Sequence, residues 1–423
     1  MRPPLMLFAD PNGRIYEHPR LEMVGSIGPG IQRVSPEEVI PLPPFSKLFY
    51  IPGCPPVGFD SKREEFVILR TMKLGRREFP CFAVSSFLEP GYVRTLLPAA
   101  DFGSKDYVLP LWAYTSVGFG EDSYVTAAFQ IECNPHWDPS HFDDRDLVPR
   151  IKQIMKKRGG NPLYHHLKDC AVHNHCFAAK NLFLERWEAP LPVSRSCNAR
   201  CLGCLSEQTE DACRPAHDRI SFRPTVRQVA DLASAHLEKA HDPIVSFGQG
   251  CEGEPLMEYR LVRDSIRKIR MRAKAGTINM NTNGSIPGRV ASIAEAGLDS
   301  IRISISSARP ALYNAYFRPR GYAFEDVCRT LSYCVENGLY TMINYLVFPG
   351  ISDQEEEVSA LFELIQRTGV HFIHLKNLNI DPDLYLRSMP RGDSSSIGIK
   401  RLHEAIKSNF PEVEVGYFNR AVK

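Results

Sequence analysis

Ile244–Ala273 reads IVSFGQGCEGEPLMEYRLVRDSIRKIRMRA. It opens on a short apolar run, passes through a glycine-rich turn, and continues as a stretch with apolar residues three and four apart at Leu261, Val262, Ile266 and Ile269. The run is strand-like and the later spacing is helical, so the segment is one strand–loop–helix unit. The same order recurs on both sides. "APLPVS" precedes "TVRQVADLASAHLEKA", "TINMNTNG" precedes "GRVASIAEAG", and "SIRISIS" precedes "FEDVCRTLSYCVENG". "YTMINYLVF" then leads to "DQEEEVSALFELIQRTG", and "HFIHLKNL" to a last helix near 397–409. About six such units imply a parallel sheet with crossover helices. In that architecture chemistry gathers at the carboxyl ends of the strands. Those ends carry "SRSCNARCLGC", "FGQGCEGEP", "NTNG", "SISSARP", "VFPG" and "KNLN".

The region before about residue 185 reads differently. It is rich in proline and aromatics, with short runs "FVILRT" (66–71), "YVLPLWAY" (107–114) and "YVTAAFQIE" (124–132) that read as strands between turns. "DLVPRIKQIMKKR" reads as a helix. A net charge of +2 makes no global case for nucleic acid or an anionic membrane. No apolar run reaches the roughly 18 residues of a membrane span, and "MRPPLMLFADPNGRIYEHP" meets proline and charge too early for a secretory core. The expected compartment is the cytoplasm, where the 12 cysteines stay reduced and clustered ones serve as metal ligands.

One cluster stands out: Cys197, Cys201 and Cys204 in "SCNARCLGC". A closed zinc site takes four ligands, commonly as two separated pairs, and the nearest fourth thiol is Cys213. Disulfide pairing would leave one thiol over, and a redox pair has no need of a third. An iron–sulfur cubane with three protein thiolates keeps one iron open to another ligand.

The Cys-x3-Cys-x2-Cys spacing after a first strand resembles the radical S-adenosylmethionine (radical SAM) family, over roughly residues 188–380. The resemblance implies an α/β fold: a partial (β/α)6 TIM-like barrel over 186–380, after an N-terminal mixed or β-rich domain over 1–185 with a substrate or auxiliary metal role. Residues 381–423 would form a C-terminal helix and strand packing on the barrel. It also implies that Cys197, Cys201 and Cys204 hold a [4Fe–4S] cluster whose open iron chelates S-adenosylmethionine (SAM). Reductive cleavage of SAM then gives a 5′-deoxyadenosyl radical that abstracts hydrogen from substrate. Gly253, Glu254 and Pro255 resemble the family's turn that contacts the methionine amino group, with Glu252 where a first glycine is usual. Asn283 at the third strand end, Ser304 and Ser306 on the fourth and Asn344 on the fifth are the further SAM-contacting positions. Gly203 departs from the pattern, because many members carry an aromatic residue there.

A second constellation, Cys170, His173, His175 and Cys176 in "CAVHNHC", is a candidate auxiliary iron–sulfur or zinc site, with Cys54, Cys81 or Cys133 as further ligands. Cys251 reads as a packed cysteine near SAM, and Lys376 as a strand-end cation open to a substrate anion. The resulting expectation is a radical SAM enzyme with a reducing partner such as flavodoxin or ferredoxin and an unidentified substrate, a peptide or protein first. An RNA-modifying enzyme and a non-catalytic iron–sulfur or zinc partner-binding protein are the alternatives. Neither a membrane nor nucleic acid is an expected partner.

Overall fold

Seven parallel strands pair in the order in which they occur along the chain. They are β1 (Glu188–Pro190), β2 (Ile244–Phe247), β3 (Thr277–Thr282), β4 (Ser300–Ile305), β5 (Tyr340–Val347), β6 (Phe372–Asn377) and β7 (Glu414–Gly416). This computed structural model describes residues 2–208, 213–390, 392 and 394–423. Every residue of β2 and β3 is buried, as expected of strands covered on both faces. Six strands match the runs read from sequence. The seventh, β7, lies in the C-terminal segment and extends the sheet beside β6. Among the described residues no pairing joins β1 to β7.

Three helices precede the sheet: α1 (Leu147–Arg158), α2 (Pro162–Val172) and α3 (Phe177–Leu184). The crossovers carry α4 (Val226–Leu237), α5 (Tyr259–Arg272), α6 (Pro287–Ala294), α7 (Pro310–Phe317), α8 (Phe324–Glu336) and α9 (Glu355–Thr368). The last connection holds α10 (Pro382–Ser388) and α11 (Ile399–Asn409). Thr225 starts α4 by accepting from the Gln228 N–H while the Gln228 side chain accepts from the Thr225 N–H, a reciprocal cap. On α5, Leu261, Val262, Ile266 and Ile269 turn inward, so its basic residues fall on the opposite face.

The N-terminal unit is an eleven-stranded antiparallel sheet built from Leu5 to Thr126, flanked by two separate two-stranded pairs. The sequence reading differs from it in three places. "YVLPLWAY" forms no strand, because it straps the barrel: the Leu109 N–H donates to the Asp381 carboxylate. "YVTAAFQIE" splits at Ala127 into Tyr124–Thr126 and Ala128–Gln130, which join different sheets. In "FVILRT" the strand ends at Ile68, and Thr71 opens another. Leu147, Ile151, Leu163, Leu167 and Phe183 of α1–α3 share one apolar core with Val229 and Ala233 of α4, so these helices pack with the barrel.

Buried polar links lock the two units together. Lys105 Nζ lies 2.6 Å from Asp381 Oδ2, with both side chains almost fully buried. The Arg94 guanidinium, wholly buried, donates to the carbonyls of Tyr114 and Leu378. No helix among the described residues is long and apolar enough to cross a membrane.

Candidate active site

Three strand-end loops are laced together around one cavity. The Glu252 carboxylate accepts the N–H groups of Val193 (2.8 Å) and Ser194 (2.9 Å) on the loop after β1, and of Gly248 at the end of β2. The Gly253 N–H donates to the Ser194 carbonyl and the Glu254 N–H to the Ser196 carbonyl. A Cβ on Gly253 would lie 2.2 Å from the Ser196 oxygen, so the approach of the two backbones requires glycine. The Glu254 carboxylate then crosses to the end of β3, accepting from the Thr282 hydroxyl, the Asn283 N–H and the Leu256 N–H. Asn283 returns the link: its amide donates to Asn198 Oδ1, inside the cysteine loop. Burial raises the pKa of Glu254, against the pull of these donors.

Gly253, Glu254, Pro255 and Asn283 therefore do border the cavity. The side chains of Glu254 and Asn283 also bond their own chain. Their carboxylate and amide groups hold the cysteine loop in place.

Cys197, Cys201 and Cys204 all line this cavity, whose volume is about 410 Å³. Their three sulfurs do not gather within 4.8 Å of one another. A single tetrahedral ion, with bonds of about 2.0–2.3 Å, would hold them closer; a cubane spreads its thiolates over separate irons. Burial pushes the Cys197 thiol up to about 12 and Cys201 well above its ordinary value. Thiolates here therefore require a bound cation. Arg219 Nη2 lies 3.6 Å from the Cys204 sulfur and supplies positive charge beside it.

The sheet supplies the rest of the wall. Ser304 on β4 faces Asn344 on β5, whose amide donates to the Ser304 hydroxyl at 3.4 Å. Both line the cavity, as does Arg302 one row deeper. Ser306 does not: β4 ends at Ile305, the alternation stops there, and Ser306 is buried outside the lining. Lys376 of β6 faces inward, its ammonium 4.7 Å from the Tyr417 ring centre. Arg302 donates to Asn419 Oδ1, and Asn419 in turn donates to Glu188 on β1. Several buried polar atoms of this lining have no hydrogen-bond partner: Asn281 Nδ2, Asn344 Oδ1 and Arg302 Nε. Such atoms cost free energy unless a ligand or water meets them, so the cavity suits a polar ligand such as SAM. Arg302 and Tyr316 belong to the wall without having been among the SAM positions expected from sequence.

Residues 191–364 match the family model of the Radical SAM superfamily. This stretch is a radical SAM domain. Proteins of that superfamily use SAM, a [4Fe–4S] cluster and a reductant. Among curated relatives, a GTP 3',8-cyclase of Alkaliphilus oremlandii is 27% identical over 213 residues, covering 50% of this chain and 59% of that protein. Molybdenum cofactor biosynthesis protein 1 of Bos taurus is 26% identical, covering 39% of this chain and 24% of that protein. The chain thus spans well under two thirds of either relative. Among solved structures, Streptococcus suis SuiB bound to precursor peptide SuiA aligns with a TM-score of 0.40 at 14% identity, covering 57% of this chain and 53% of that one.

Within this radical SAM domain, Gly203 has a physical explanation. A Cβ there would come within 2.9 Å of the Tyr316 hydroxyl oxygen and 3.2 Å of the Asn379 carbonyl. The aromatic group beside the third cysteine comes from α7 instead of the cysteine loop.

The constellation expected over 170–176 is not assembled. Cys170 is buried, but His173 and His175 are exposed. Helix α2 ends at Val172, and His175 takes a left-handed φ of 51° that turns the chain outward. Cys176 contributes its N–H to the Cys170 carbonyl. Cys54 and Cys81 are buried in the N-terminal unit, Cys133 is exposed, and none of them joins Cys170. The groups that do converge on Cys170 are His166, four residues earlier on the same helix, and Cys251.

Proposed function

We propose that Cys197, Cys201 and Cys204 hold the [4Fe–4S] cluster, that SAM occupies the adjoining cavity, and that the enzyme acts on an anionic small molecule held by Arg302 and Lys376. The observation that carries the reading is one cavity with two ends. Three thiols spaced too widely for a single ion line it together with two cations that make no salt bridge among the described residues. When bound, the cluster and SAM supply a radical able to abstract hydrogen from a substrate carbon. The chain's own residues do the positioning. Glu252, Glu254 and Asn283 fix the cysteine loop against the ends of β2 and β3. Asn281, Ser304 and Asn344 offer donors and acceptors to SAM from the sheet. Phe87, Leu88 and Ala113 of the N-terminal unit complete the wall and exclude water from that side.

Arg302 and Lys376 suit phosphate or carboxylate. The names of the relatives make GTP the first compound to test. No residue of the cavity favours a peptide or RNA substrate over a small anion. A reductant of the flavodoxin or ferredoxin class would deliver the electron.

Anaerobic reconstitution with iron, sulfide, SAM and dithionite tests this reading. Wild-type protein should form 5′-deoxyadenosine, the Cys201→Ala variant should form none, and GTP should stimulate turnover in wild type but not in Lys376→Met. A bound cubane without any 5′-deoxyadenosine would sink the assignment of the site. Unchanged GTP stimulation in Lys376→Met would sink the anion-binding role.

A further inference from the structure

Outside the active-site thiols, His166, Cys170 and Cys251 bring a ring nitrogen and two sulfurs within 4.8 Å of one another. His166 and Cys170 lie one turn apart on α2, so helical geometry puts both on one face. Cys251 comes from the loop after β2, two residues before Gly253. Both sulfurs are buried and the imidazole is half-buried. Cys170 Sγ lies 3.8 Å from His166 Nε2. A tetrahedral zinc with bonds of about 2.0–2.3 Å separates its ligand atoms by about 3.3–3.8 Å. The three donors are thus already near the spacing that one ion imposes, unlike the widely spread Cys197, Cys201 and Cys204.

Next to this cluster, His217 packs its ring on Gly250, where a Cβ would come within 2.9 Å of Cδ2. Its Nδ1 is buried without a hydrogen-bond partner. Two sulfurs with imidazole nitrogen are a ligand set for zinc. A Cys170–Cys251 disulfide would leave the converging imidazole with no role.

We propose that His166, Cys170 and Cys251 form a tetrahedral zinc site, with His217 taking the fourth position. A closed site of this kind is structural. It ties α2 to the loop that carries Gly253 and Glu254, and so fixes the second strand-end loop from outside the cavity, while Glu252 fixes it from inside.

The test uses the full chain in a Cys197→Ala/Cys201→Ala/Cys204→Ala background, so that metal counts report this site alone. Protein produced with zinc should carry one equivalent per chain by elemental analysis. Adding Cys170→Ser and Cys251→Ser should remove it, and His166→Gln should weaken retention against a chelator by more than the roughly 10–100-fold that loss of a ligand's supporting partner costs. Cobalt in place of zinc should give tetrahedral ligand-field bands with thiolate-to-cobalt charge transfer. A misfolded double variant would also lose zinc, so the unmutated chain supplies a second readout: stripping zinc should lower its thermal midpoint, and adding zinc back should restore it. Iron with sulfide in place of zinc, a Cys170–Cys251 disulfide in metal-free protein, or zinc retained in the double variant would each overturn the proposal.

Discussion

Gly203 and Tyr316 divide one space between them, and the division can be tested. A bulky side chain at 203 must displace the Tyr316 phenol or the Asn379 carbonyl, and a backbone shift in the cysteine loop misplaces the thiols. Gly203→Phe should therefore cut 5′-deoxyadenosine formation by about tenfold or more, since about 1.4 kcal/mol of misplacement is enough for that. Tyr316→Ala added to it should recover part of the loss. If the double variant is no better than the single, the two side chains do not compete. Lys376 offers a second test at this scale. Burial first, and then the Arg302 charge, lower its pKa to about 7, against the opposing pull of Glu188 and Glu132. The unfolded chain keeps that proton to about 10.4. Between about 7 and 10.4 unfolding takes up a proton, so stability rises with pH across this window, and the cost of the buried charge is felt in full below 7. Anion binding runs the other way, because the cation that would attract the proposed anionic substrate disappears as pH rises through about 7, although a bound anion will move that midpoint upward. Melting curves and the KM for GTP, measured against pH, should both flatten in Lys376→Met. A slope that survives in the variant belongs to another group.

Strand-end loops, more than single side chains, decide the geometry of the cavity. Gly253→Ala places a methyl group 2.2 Å from a backbone oxygen that has nowhere flexible to go. The loops after β1 and β2 must then part. Reconstituted Gly253→Ala should lose most of its iron and sulfide while retaining its far-ultraviolet circular dichroism; full cluster content would show that the lacing is dispensable. The positions of these loops were legible in the sequence because buried parallel strands are unbroken apolar runs, and polar residues collect where they stop. Roles were less legible. Glu254 reads as a ligand for the methionine amine, and nothing in the sequence marks its bonds to Thr282, Asn283 and Leu256. His173 and His175 are nearer to Cys176 in sequence, but the residue beside Cys170 in the structure is His166. The signal was available in helical phase: residues 166 and 170 share a face, whereas 173 and 175 lie past the end of α2. For Tyr316 no sequence signal exists, because its place beside Gly203 is set entirely by how α7 packs.

At the scale of the whole molecule, the antiparallel N-terminal unit was the hardest part to read. Its strands are short, and "YVLPLWAY" is apolar because it lies on the barrel rather than in a ladder. What joins the two units is polar and buried. Lys105→Met should leave Asp381 as an uncompensated buried charge, at a cost of about 3–5 kcal/mol in urea unfolding. A loss under about 1 kcal/mol would mean that Asp381 finds another partner or water. The Arg302–Asn419 contact has a consequence of a different kind. These partners are 117 residues apart, and synthesis proceeds at about 5–20 residues per second, so Arg302 emerges on the order of ten seconds before Asn419. Throughout that interval the nascent barrel lacks β7, Tyr417 and Asn419, and its interior stays open to the surrounding water. A ribosome-bound chain stalled before Tyr417 emerges should have a Cys201 thiol that alkylating reagents reach quickly, and release of the finished chain should slow that reaction. Equal rates would show that the interior closes without the late segment. The order of the sequence therefore sets a period during translation when the thiols of Cys197, Cys201 and Cys204 are most accessible, and it ends as the residues after β7 emerge.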